Sequence, residues 1–373
     1  MKKKKKILHI VQSAGGVERY IKMLIKYEKS NEYEHILICS RDYKKKYYIE
    51  NNVEIEYVDM RRNISFFNDL KAIQQTRKMI KKYTPDIIYC HSSKAGAIGR
   101  LAGIGIEKKS IYNPHGWAFN MKCSKMKKNL YIWIEKTLAF LCDYIICISD
   151  AEKKSAIKYG ICNENKLIVI KNGIDVEEYS HNLACGKYKN SVIPGEAFVI
   201  GCVGRLDSQK APDIFAKAAI EVKKVIPNAF FVFVGDGKLR STIEKLFQDN
   251  NMANSYLISG WVEEPMDYIV DFDIALLLSR WEGFGLVLPE YMIAEKPIVA
   301  TKVDAIPEII TDQFNGLLVE VDNVKEVVSA IRKLYLDDDI RSNIISNEIS
   351  IVKKNFDVRR VAKEHQDLFK ILE

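Results

Sequence analysis

One segment in the second half of the chain combines a buried strand, a glycine-bearing loop and the start of a helix. The apolar run from Ile274 to Leu278 predicts the strand, and a helical pattern resumes at Leu286. Between them runs the sequence SRWEGFG, followed by LVLPE. In an open parallel sheet, ligands bind beyond the carboxyl ends of the strands, where helix-start amides favour anionic groups. The segment therefore predicts an α/β fold with a ligand-binding loop at this position.

Two carboxylates stand eight residues apart in this segment, Glu282 in the loop and Glu290 about one turn into the helix. Gly283 and Gly285 permit close approach of the backbone to a ligand. Pro289 suits a first helical turn, where its missing N–H has no partner to lose. Both acids are candidates for one crevice. The alternative is that Glu282 is a solvated loop acid and Glu290 a charge that favours the helix dipole.

Strand-like and helix-like segments alternate along the whole chain, which predicts doubly wound parallel sheets. Predicted strands of the first half lie at residues 7–11, 35–39, 53–58, 86–90, 110–112, 143–148 and 166–170, and helices at 17–27, 64–82 and 121–141. Predicted strands of the second half lie at residues 198–203, 229–234, 256–259, 274–278, 297–301 and 317–320. Residues 174–196 have little periodicity and are interpreted as a linker. The predicted domains are 1–190, 191–355 and a terminal helical segment, 356–373, that packs back on the first domain.

Length and composition fit a globular protein of two domains. The chain has 373 residues, of which 47% are hydrophobic and 28% charged. Its longest apolar candidate, residues 138–148, is interrupted by Asp143 and is too short for a membrane span. The lysines at 2–6 precede an apolar run too short for a signal peptide, so a cytoplasmic location is expected. The eight cysteines form no C-x-x-C pair, which favours buried free thiols over disulfides or zinc.

Charge is distributed unevenly between the two halves. Residues 1–190 contain 36 Lys and Arg against 20 Asp and Glu, a net charge of +16, whereas the remainder carries −8. A basic, aromatic helix at 121–141 presents Lys122, Lys125, Lys127 and Lys128 beside Tyr131, Ile132, Trp133, Ile134 and Leu138. Together with the lysines at 2–6, this predicts docking on an anionic membrane surface. The alternative is a core helix with one solvated lysine face.

Three further loops carry candidate binding residues. Gly15 and Gly16 separate the first strand from the first helix, where backbone amides can approach a phosphate or a sugar. His115 follows the strand at 110–112 and is a candidate hydrogen-bonding group, although most lone loop histidines are structural. Arg205 and Lys210 lie between a strand and a helix start, a placement that suits a diphosphate.

Two apparent motifs are not interpreted as sites. Asp271 and Asp273 spell D-x-D but open a buried strand, so no metal is expected there. Gly235 and Gly237 lack the third glycine of a dinucleotide fingerprint, so NAD binding is not expected.

Seven short segments, in order along nearly the whole chain, resemble glycosyltransferase family 4, whose members are retaining enzymes. The matching segments are GGVERY at 15–20, NPHGW at 113–117, KNGID at 171–175, VGRLDSQK at 203–210, VGDGKLR at 234–240, SGWV at 259–262 and E-x7-E at 282–290. The resemblance implies the GT-B fold, in which two Rossmann-like domains face one another and a C-terminal helix crosses back to the first. It also implies capsule- or exopolysaccharide-type chemistry on a nucleotide-diphosphate sugar, expected to be a UDP-sugar.

The resemblance assigns expected roles to the candidate residues. Arg205 and Lys210 would neutralise the diphosphate, and Glu290 would accept hydrogen bonds from the ribose. Glu282 would hold the donor sugar and assist departure of the phosphate. The other expected contacts to the donor and the reacting sugar are Gly15, Gly16, His115, Val262, Gly283, Phe284, Gly285 and Leu286. No metal and no cofactor are expected, since the two cations and helix-start amides can stabilise the leaving group.

The chain departs from the family pattern at three places. Ala211 stands where the family has glycine, Tyr291 where it has alanine, and Asp304 with Ala305 where it has a glycine pair. The last change puts the identity of the donor sugar in doubt rather than the reaction. The expected reaction is a front-face transfer, with retention, of a hexose or N-acetylhexosamine to a glycan or polyprenyl-diphosphate-linked acceptor. Two alternatives remain, a sugar-nucleotide epimerase and a non-catalytic sugar-nucleotide-binding module; no nucleic-acid partner is expected.

Overall fold

The computed structural model describes residues 4–12, 14–28, 32–61, 63–181, 183, 188 and 191–372. The predictions that concern Lys2, Lys3, Ser13 and Cys185 lie outside these residues. The chain divides into two compact units. Unit 1 comprises Met1–Asn172 and Val358–Glu373, and unit 2 comprises Gly173–Asp357.

Unit 1 is built on a seven-stranded parallel sheet. Its strands are β1 (Lys5–Ile10), β2 (Tyr33–Cys39), β3 (Glu54–Tyr57), β4 (Ile87–His91), β5 (Lys109–Asn113), β6 (Tyr144–Cys147) and β7 (Leu167–Val169). Its first six helices are α1 (Gly16–Tyr27), α2 (Lys45–Glu50), α3 (Phe66–Tyr83), α4 (Ser93–Ala102), α5 (Lys125–Leu138) and α6 (Asp150–Lys158). The strand order is β3-β2-β1-β4-β5-β6-β7. The order reverses between β1 and β4, as in doubly wound sheets.

Unit 2 contains a six-stranded parallel sheet. Its strands are β8 (Phe198–Val203), β9 (Ala229–Val234), β10 (Tyr256–Ile258), β11 (Ile274–Leu277), β12 (Ile298–Thr301) and β13 (Leu317–Val319). Its helices are α7 (Val176–His181), α8 (Pro212–Val225), α9 (Arg240–Asp249), α10 (Met266–Ile269), α11 (Val287–Ile293), α12 (Val324–Leu336) and α13 (Asp338–Asn355). The strand order is β10-β9-β8-β11-β12-β13, with the reversal between β8 and β11. Central strands such as β9 and β11 are buried throughout, because helices cover both faces of the sheet.

The last helix, α14 (Val358–Ile371), belongs to unit 1 and packs beside α1. Its inward face carries Val361, Leu368 and Phe369, which join the apolar core formed by β1, β2 and α1. Phe369 meets Tyr33 edge-to-face, with ring centroids 5.5 Å apart. The 3.6-residue spacing of these apolar side chains explains why a terminal segment with many charges still forms a buried helix.

The observed domain boundaries differ from the predicted ones. The first boundary follows residue 172 instead of residue 190, and the second follows residue 357 instead of residue 355. The predicted linker at 174–196 contains α7, which contacts α11 within unit 2. The Ile174 N–H donates to the carbonyl oxygen of Phe356 over 2.8 Å, so the segment is bonded into unit 2 from its start. Asp175 accepts a hydrogen bond from the Glu178 N–H, 3.0 Å away, at the beginning of the helix. A helix of six residues, fewer than two turns, is too short to show periodicity in the sequence.

The predicted helix at 121–141 is shorter than expected and has two apolar faces. It runs over Lys125–Leu138, and a single 3-10 turn, Ala139–Leu141, follows. Tyr131, Ile132 and Leu138 face the core of unit 1. On the opposite side Met126, Leu130, Trp133 and Phe140 are exposed.

All seven described cysteines are free, and Cys39, Cys90, Cys142, Cys147 and Cys202 are buried. Burial raises the pKa of the Cys90 and Cys202 thiols to about 12, which keeps them protonated. Among the residues that the structure describes, no helix has the length and apolarity needed to cross a membrane.

Candidate active site

The charged candidates of unit 2 lie at the point where its strand order reverses. One loop, residues 204–211, follows β8, and the other, residues 278–286, follows β11. These two strands are neighbours in the centre of the sheet. Open parallel sheets form a ligand crevice at this position because the loops on either side diverge towards opposite faces.

Lys210 and Glu282, assigned from separate motifs, contact one another directly. The Lys210 Nζ forms an ion pair with Glu282 Oε2, and the side chains are 14% and 10% exposed. The Ser279 hydroxyl donates to the same carboxylate oxygen over 3.0 Å. The Glu282 N–H donates to Asp304 Oδ2 over 2.9 Å, which fixes the loop from the other side. Burial, followed by the charge of Glu282, raises the pKa of Asp304.

Arg205 lies at the same edge of the sheet but is more open, with 57% of its side chain exposed. Its guanidinium contacts Asp207 Oδ2 at 3.2 Å and donates to Gln209 Oε1 over 3.0 Å. Gln209 joins the two loops, since its Nε2 donates to the Trp281 carbonyl over 3.1 Å and its own carbonyl accepts from the Arg280 N–H over 2.8 Å. The two loops therefore form one assembly, held by Gln209, which lies in the VGRLDSQK segment but is not among the predicted site residues.

The remaining predicted contacts of unit 2 differ in what they can offer a ligand. Glu290 is the fourth residue of α11 and is buried. Phe284 is also buried and meets Phe356 edge-to-face at 5.8 Å, so only its backbone is available to a ligand. Gly285 has a φ of +89°, which side chains rarely adopt, while Leu286 directly precedes the helix. Gly283 lies between them and Glu282 in the same loop.

Val262 lies outside this assembly. It is half-buried in the loop after β10, which is the edge strand of the sheet, two positions from β8. No hydrogen bond between backbone groups of the described residues joins it to Lys210 or Glu282. The SGWV match placed it with the donor site by resemblance alone.

The D-x-D motif at 271–273 and the Gly-x-Gly motif at 235–237 both have structural explanations. Asp273 Oδ2 accepts from the Val199 N–H over 2.7 Å, so it ties β8 to the start of β11. Asp271 Oδ2 accepts from the Tyr188 N–H over 3.2 Å. A Cβ at Gly235 would lie 1.9 Å from the carbonyl oxygen of Gly204, so this glycine allows two loops to touch. Among the described residues, no group of three or more histidine, cysteine or acidic side chains is arranged to hold a metal ion.

The predicted residues of unit 1 lie at the carboxyl edge of its sheet. Gly15 and Gly16 follow β1, and a Cβ built on either one would meet no atom within 4 Å, so the loop borders open space. His115 follows β5 and is half-buried, with a left-handed φ of 49°. Its backbone N–H donates to Asn113 Oδ1 over 2.9 Å, and this bond stabilises the turn. Burial lowers the pKa of His115 to about 3, so its imidazole is neutral at physiological pH.

His115 is also hydrogen-bonded, a feature that the sequence did not reveal. Its Nε2 lies 3.0 Å from Nδ1 of His91, the last residue of β4. His9, His35 and Glu28 continue the series into the interior. The one available signal was the occurrence of His9, His35 and His91 inside or beside strands that the sequence predicts to be buried.

Comparisons with known proteins agree with this architecture in both units. Residues 14–178 match the family described as Glycosyltransferase Family 4, and residues 187–350 match the one described as Glycosyl transferases group 1. The UDP-Gal:alpha-D-GlcNAc-diphosphoundecaprenol alpha-1,3-galactosyltransferase of Escherichia coli is 28% identical, covering 98% of this chain and 96% of its own. The capsular polysaccharide biosynthesis glycosyltransferase CapM of Staphylococcus aureus is 26% identical, with 98% and 97% covered.

A solved structure, Anabaena Alr3699/HepE in complex with UDP, superposes with a TM-score of 0.82 at 20% identity, covering 98% of this chain and all of its own. Two doubly wound units with these matches define an enzyme of the GT-B fold that transfers glycosyl groups. The chain belongs to glycosyltransferase family 4.

Proposed function

We propose that the chain transfers a hexose or N-acetylhexosamine from a UDP-sugar to a lipid-linked or glycan acceptor in bacterial surface polysaccharide synthesis. The observation that carries the proposal is the contact of Lys210 with Glu282 at the strand-order reversal of unit 2, with Arg205 on the same loop as Lys210. Cations and an acid at one crevice suit a substrate with a diphosphate beside a polyhydroxylated sugar. The E. coli relative named for a UDP-Gal donor and the HepE complex with UDP support this choice of donor.

The proposed chemistry proceeds with retention at the anomeric carbon. The bond from that carbon to the phosphate oxygen breaks on the face where the acceptor oxygen bonds, and the acceptor's proton passes to the departing phosphate. Arg205 and Lys210 stabilise the negative charge that develops on the diphosphate. Glu282 holds the donor sugar and exchanges its ion pair with Lys210 for contacts with the substrate. Glu290 holds the ribose, and His115 hydrogen-bonds a substrate that reaches the carboxyl edge of the sheet of unit 1.

The proposed reaction uses no metal ion, because the two cationic side chains already provide the countercharge for the diphosphate. Excess EDTA should leave the initial rate unchanged, measured with enzyme and buffers freed of divalent cations. Full inhibition by EDTA that added Mg²⁺ or Mn²⁺ reverses would contradict this and would return Asp271 and Asp273 to consideration as ligands.

The exposed side of α5 supports a peripheral location on an anionic membrane. Met126, Leu130 and Trp133 follow one another at helical spacings of four and three residues, and Phe140 continues the line, 84% exposed. Lys122, Lys125 and Lys127 beside them are exposed as well. Apolar side chains flanked by lysines fit the headgroup region of an anionic bilayer, where a lipid-linked acceptor is found.

A donor screen tests the proposed function. The purified enzyme is incubated with UDP-, GDP- and TDP-sugars, with and without a polyprenyl-diphosphate-linked sugar, and both free nucleotide and extended lipid are detected by mass spectrometry. Acceptor-dependent release of UDP with extension of the lipid by one sugar is the expected result. Stoichiometric release of UDP without acceptor, together with an isomerised sugar, would identify an epimerase instead. Binding of UDP without turnover of any donor would identify a binding module.

A further inference from the structure

Unit 1 contains a continuous series of hydrogen-bonded imidazoles. The chain has six histidines, and four of them form this series. His35 Nδ1 lies 3.0 Å from His9 Nε2, His9 Nδ1 lies 3.1 Å from His91 Nε2, and His91 Nδ1 lies 3.0 Å from His115 Nε2. At its inner end, His35 Nε2 lies 3.5 Å from Glu28 Oε2. His9 and His91 thus hydrogen-bond through both ring nitrogens, and the second ring nitrogen of His35 faces the carboxyl of Glu28.

The series crosses four neighbouring strands of the sheet in order. His35 is on β2, His9 on β1, His91 at the end of β4, and His115 follows β5. The register pairs His9 with Leu37 and with Tyr89, which stand two residues from His35 and His91 respectively. Because side chains alternate between faces along a strand, all of these histidines occupy one face. They advance along the strands from the interior to the edge where ligands bind.

Hydrogen counting leaves this series only two neutral arrangements. A neutral imidazole has one N–H, and each nitrogen-to-nitrogen contact needs one hydrogen between its two atoms. If His35 is protonated at Nδ1, then His9, His91 and His115 must all be protonated at Nδ1. If His35 is protonated at Nε2, all four are protonated at Nε2. The outer nitrogen of His115, Nδ1, is a donor in the first arrangement and an acceptor in the second.

Glu28 distinguishes between the two arrangements. A protonated carboxyl donates to His35 Nε2 and requires the Nδ1–H arrangement, whereas a carboxylate accepts from His35 Nε2–H and requires the other. Glu28 is fully buried, and neither of its carboxyl oxygens has a hydrogen-bond partner among the described residues; the polar atom that faces Oε2 is His35 Nε2, 3.5 Å away. Burial raises the pKa of this carboxyl, and burial lowers the pKa of His9, His35 and His91, so the neutral acid beside neutral imidazoles is the resting state.

We propose that His35, His9 and His91 are positioning residues that transmit the protonation state of Glu28 to His115 and present His115 Nδ1–H as a hydrogen-bond donor to the oxygens of the substrates. This proposal rests on the proposed function in that it takes His115 to hydrogen-bond a substrate of the glycosyl transfer. His115 Nδ1 has no hydrogen bond to any residue that the structure describes, so it is open to a ligand.

Glu28, His35, His9, His91 and His115, which we call the relay, can also release one proton at the outer end, from His115. When His115 Nδ1–H gives its proton to an oxygen of a bound substrate, Nε2 of His115 takes the proton of His91 Nδ1. The same shift then passes through His9 and His35. Glu28 then gives its proton to His35 Nε2 and becomes a carboxylate. All four histidines have moved from the Nδ1–H to the Nε2–H form, no imidazolium has formed, and the count of protons is conserved.

His365 provides an internal reference on the same face of the sheet. Its Nδ1 lies 2.8 Å from the carbonyl oxygen of Val361, which can only accept, so Nδ1 carries the proton. Its Nε2 therefore accepts from the hydroxyl of Tyr20 or Tyr89, at 2.6 and 3.1 Å. No hydrogen bond of the described residues joins His365 to the four relay histidines.

Nitrogen NMR of the protein labelled with 15N-histidine tests the relay directly, since protonated and unprotonated ring nitrogens have well separated shifts. In the wild type at neutral pH, His9, His35, His91 and His115 should all be protonated at Nδ1. Glu28→Gln retains an N–H donor and should preserve this state, whereas Glu28→Leu should abolish it in all four residues together. His365→Gln is the control and should leave the four signals unchanged.

A mixture of tautomers, an Nε2–H state in the wild type, or a His115 signal that ignores Glu28→Leu would each overturn the proposal. The wild-type spectrum alone is decisive if a variant fails to fold. The readout does not require catalysis, so it remains valid even if the enzyme transfers no sugar.

A variant that interrupts the relay gives the functional test. His9→Phe should lower kcat about 10-fold, the loss of one well-placed hydrogen bond in the transition state, with a change in KM for the donor of less than about 2-fold. UDP binding, measured by calorimetry, should be unchanged. Wild-type kcat in this variant would overturn the relay, whereas failure of the wild-type enzyme to bind UDP would instead count against the proposed function.

Discussion

Three residues at which the chain departs from its family show how single side chains alter a shared scaffold. Ala211 and Asp304 have left-handed backbone conformations, with φ of 50° and 45°, where glycine is the residue with the least strain. Asp304 uses its side chain to accept the Glu282 N–H. The Tyr291 hydroxyl accepts from the Val203 N–H over 2.8 Å and faces the Leu276 carbonyl at 3.3 Å, so it bridges β8 and β11 directly beneath the site.

At the residue scale, the two cations should matter for turnover and not for folding. We expect Arg205→Ala or Lys210→Ala to lower kcat by about 10- to 100-fold, because a charge-assisted contact to the leaving diphosphate contributes about 1.5–3 kcal/mol. Steady-state kinetics at saturating donor measure the effect. Lys245→Ala, an exposed lysine on α9, is the matched control. Wild-type turnover in both site variants would show that neither cation faces the leaving group.

The two carboxylates should have separable effects. We expect Glu290→Gln to raise KM for the donor, because the ribose that it would hold does not change during the reaction. Glu282→Gln should mainly lower kcat, since it lies beside Lys210 and would contact the reacting sugar. Glu295→Gln, an exposed acid just after α11, serves as the control. The opposite pattern in kcat and KM would mean that the two roles are exchanged.

At the scale of elements, α5 is unusual because both of its long sides are apolar. The inner side also buries Glu135, which forms an ion pair with Arg100 at 2.9 Å and accepts from the Tyr112 hydroxyl over 2.8 Å. The buried carboxylate of Glu135 and its two partners thus anchor the helix to the core. Removal of either partner would destabilise the folded state, because it would leave a buried charge with fewer hydrogen bonds. Its outer side is free of this constraint and carries the exposed Met126 and Trp133.

We expect this outer side to bind anionic vesicles in a salt-dependent manner. Replacement of Lys122, Lys125, Lys127 and Lys128 by Gln should weaken binding on the order of 1,000-fold at low salt, since each lysine near an anionic surface contributes about 1 kcal/mol. Co-sedimentation with phosphatidylglycerol vesicles measures it. The control replaces four exposed lysines of unit 2, Lys217, Lys245, Lys325 and Lys353, by Gln.

A second variant separates charge from apolar insertion. Replacement of Met126, Trp133 and Phe140 by Ser should weaken binding at high salt as well as at low salt, because apolar burial is not screened. If the wild type fails to sediment with anionic vesicles even at low salt, the proposed membrane location is wrong, while the glycosyltransferase assignment is unaffected.

At the scale of the whole molecule, acid should destabilise unit 1 and leave unit 2 stable. Burial lowers the pKa of His35 and His365 to about 4 and that of His115 to about 3, all within unit 1. These histidines favour the folded state fully above the unfolded pKa of about 6.5, and the benefit is lost as the pH falls towards 4. At pH 5 the loss is on the order of 1–2 kcal/mol for each residue.

Buried acids act in the opposite sense. Burial raises the pKa of Glu28 in unit 1 and of Glu348 in unit 2, so their contribution is complete below about pH 4.5 and declines as the pH rises. On acidification of unit 1, the stability lost through several histidines exceeds the stability gained through Glu28. In unit 2 the described residues include the buried acid Glu348 and no buried histidine.

Hydrogen exchange resolved by peptide, corrected for the intrinsic rate, should therefore show β1 and β4 losing protection between pH 7 and pH 5 while β8 and β9 keep theirs. Equal loss in both units would contradict this assignment of the acid sensitivity.

The sequence alone determined the class of fold, the order of strands and helices along the chain, and the loops that are candidates for binding ligands. Short apolar runs separated by amphipathic segments can form little else than doubly wound sheets, and glycines and charged residues at strand ends are local signals. Seven short segments that resemble glycosyltransferase family 4 implied the GT-B fold and the family. The structure and the comparisons confirmed both. The linker at 174–196 was wrong in part because the short helix α7 has no periodic pattern to detect.

Tertiary structure alone decided which of these signals meet. Lys210 and Glu282 lie 72 residues apart in sequence, and only the pairing of β8 with β11 makes them partners. His9, His35, His91 and His115 look like unrelated core or loop histidines in the sequence, since hydrogen bonds between side chains depend on strand order and register. The parallel sheet places them side by side, so that each imidazole lies within hydrogen-bond distance of the next. Local residue patterns specify elements, whereas the chemistry of the relay exists only once four strands lie side by side.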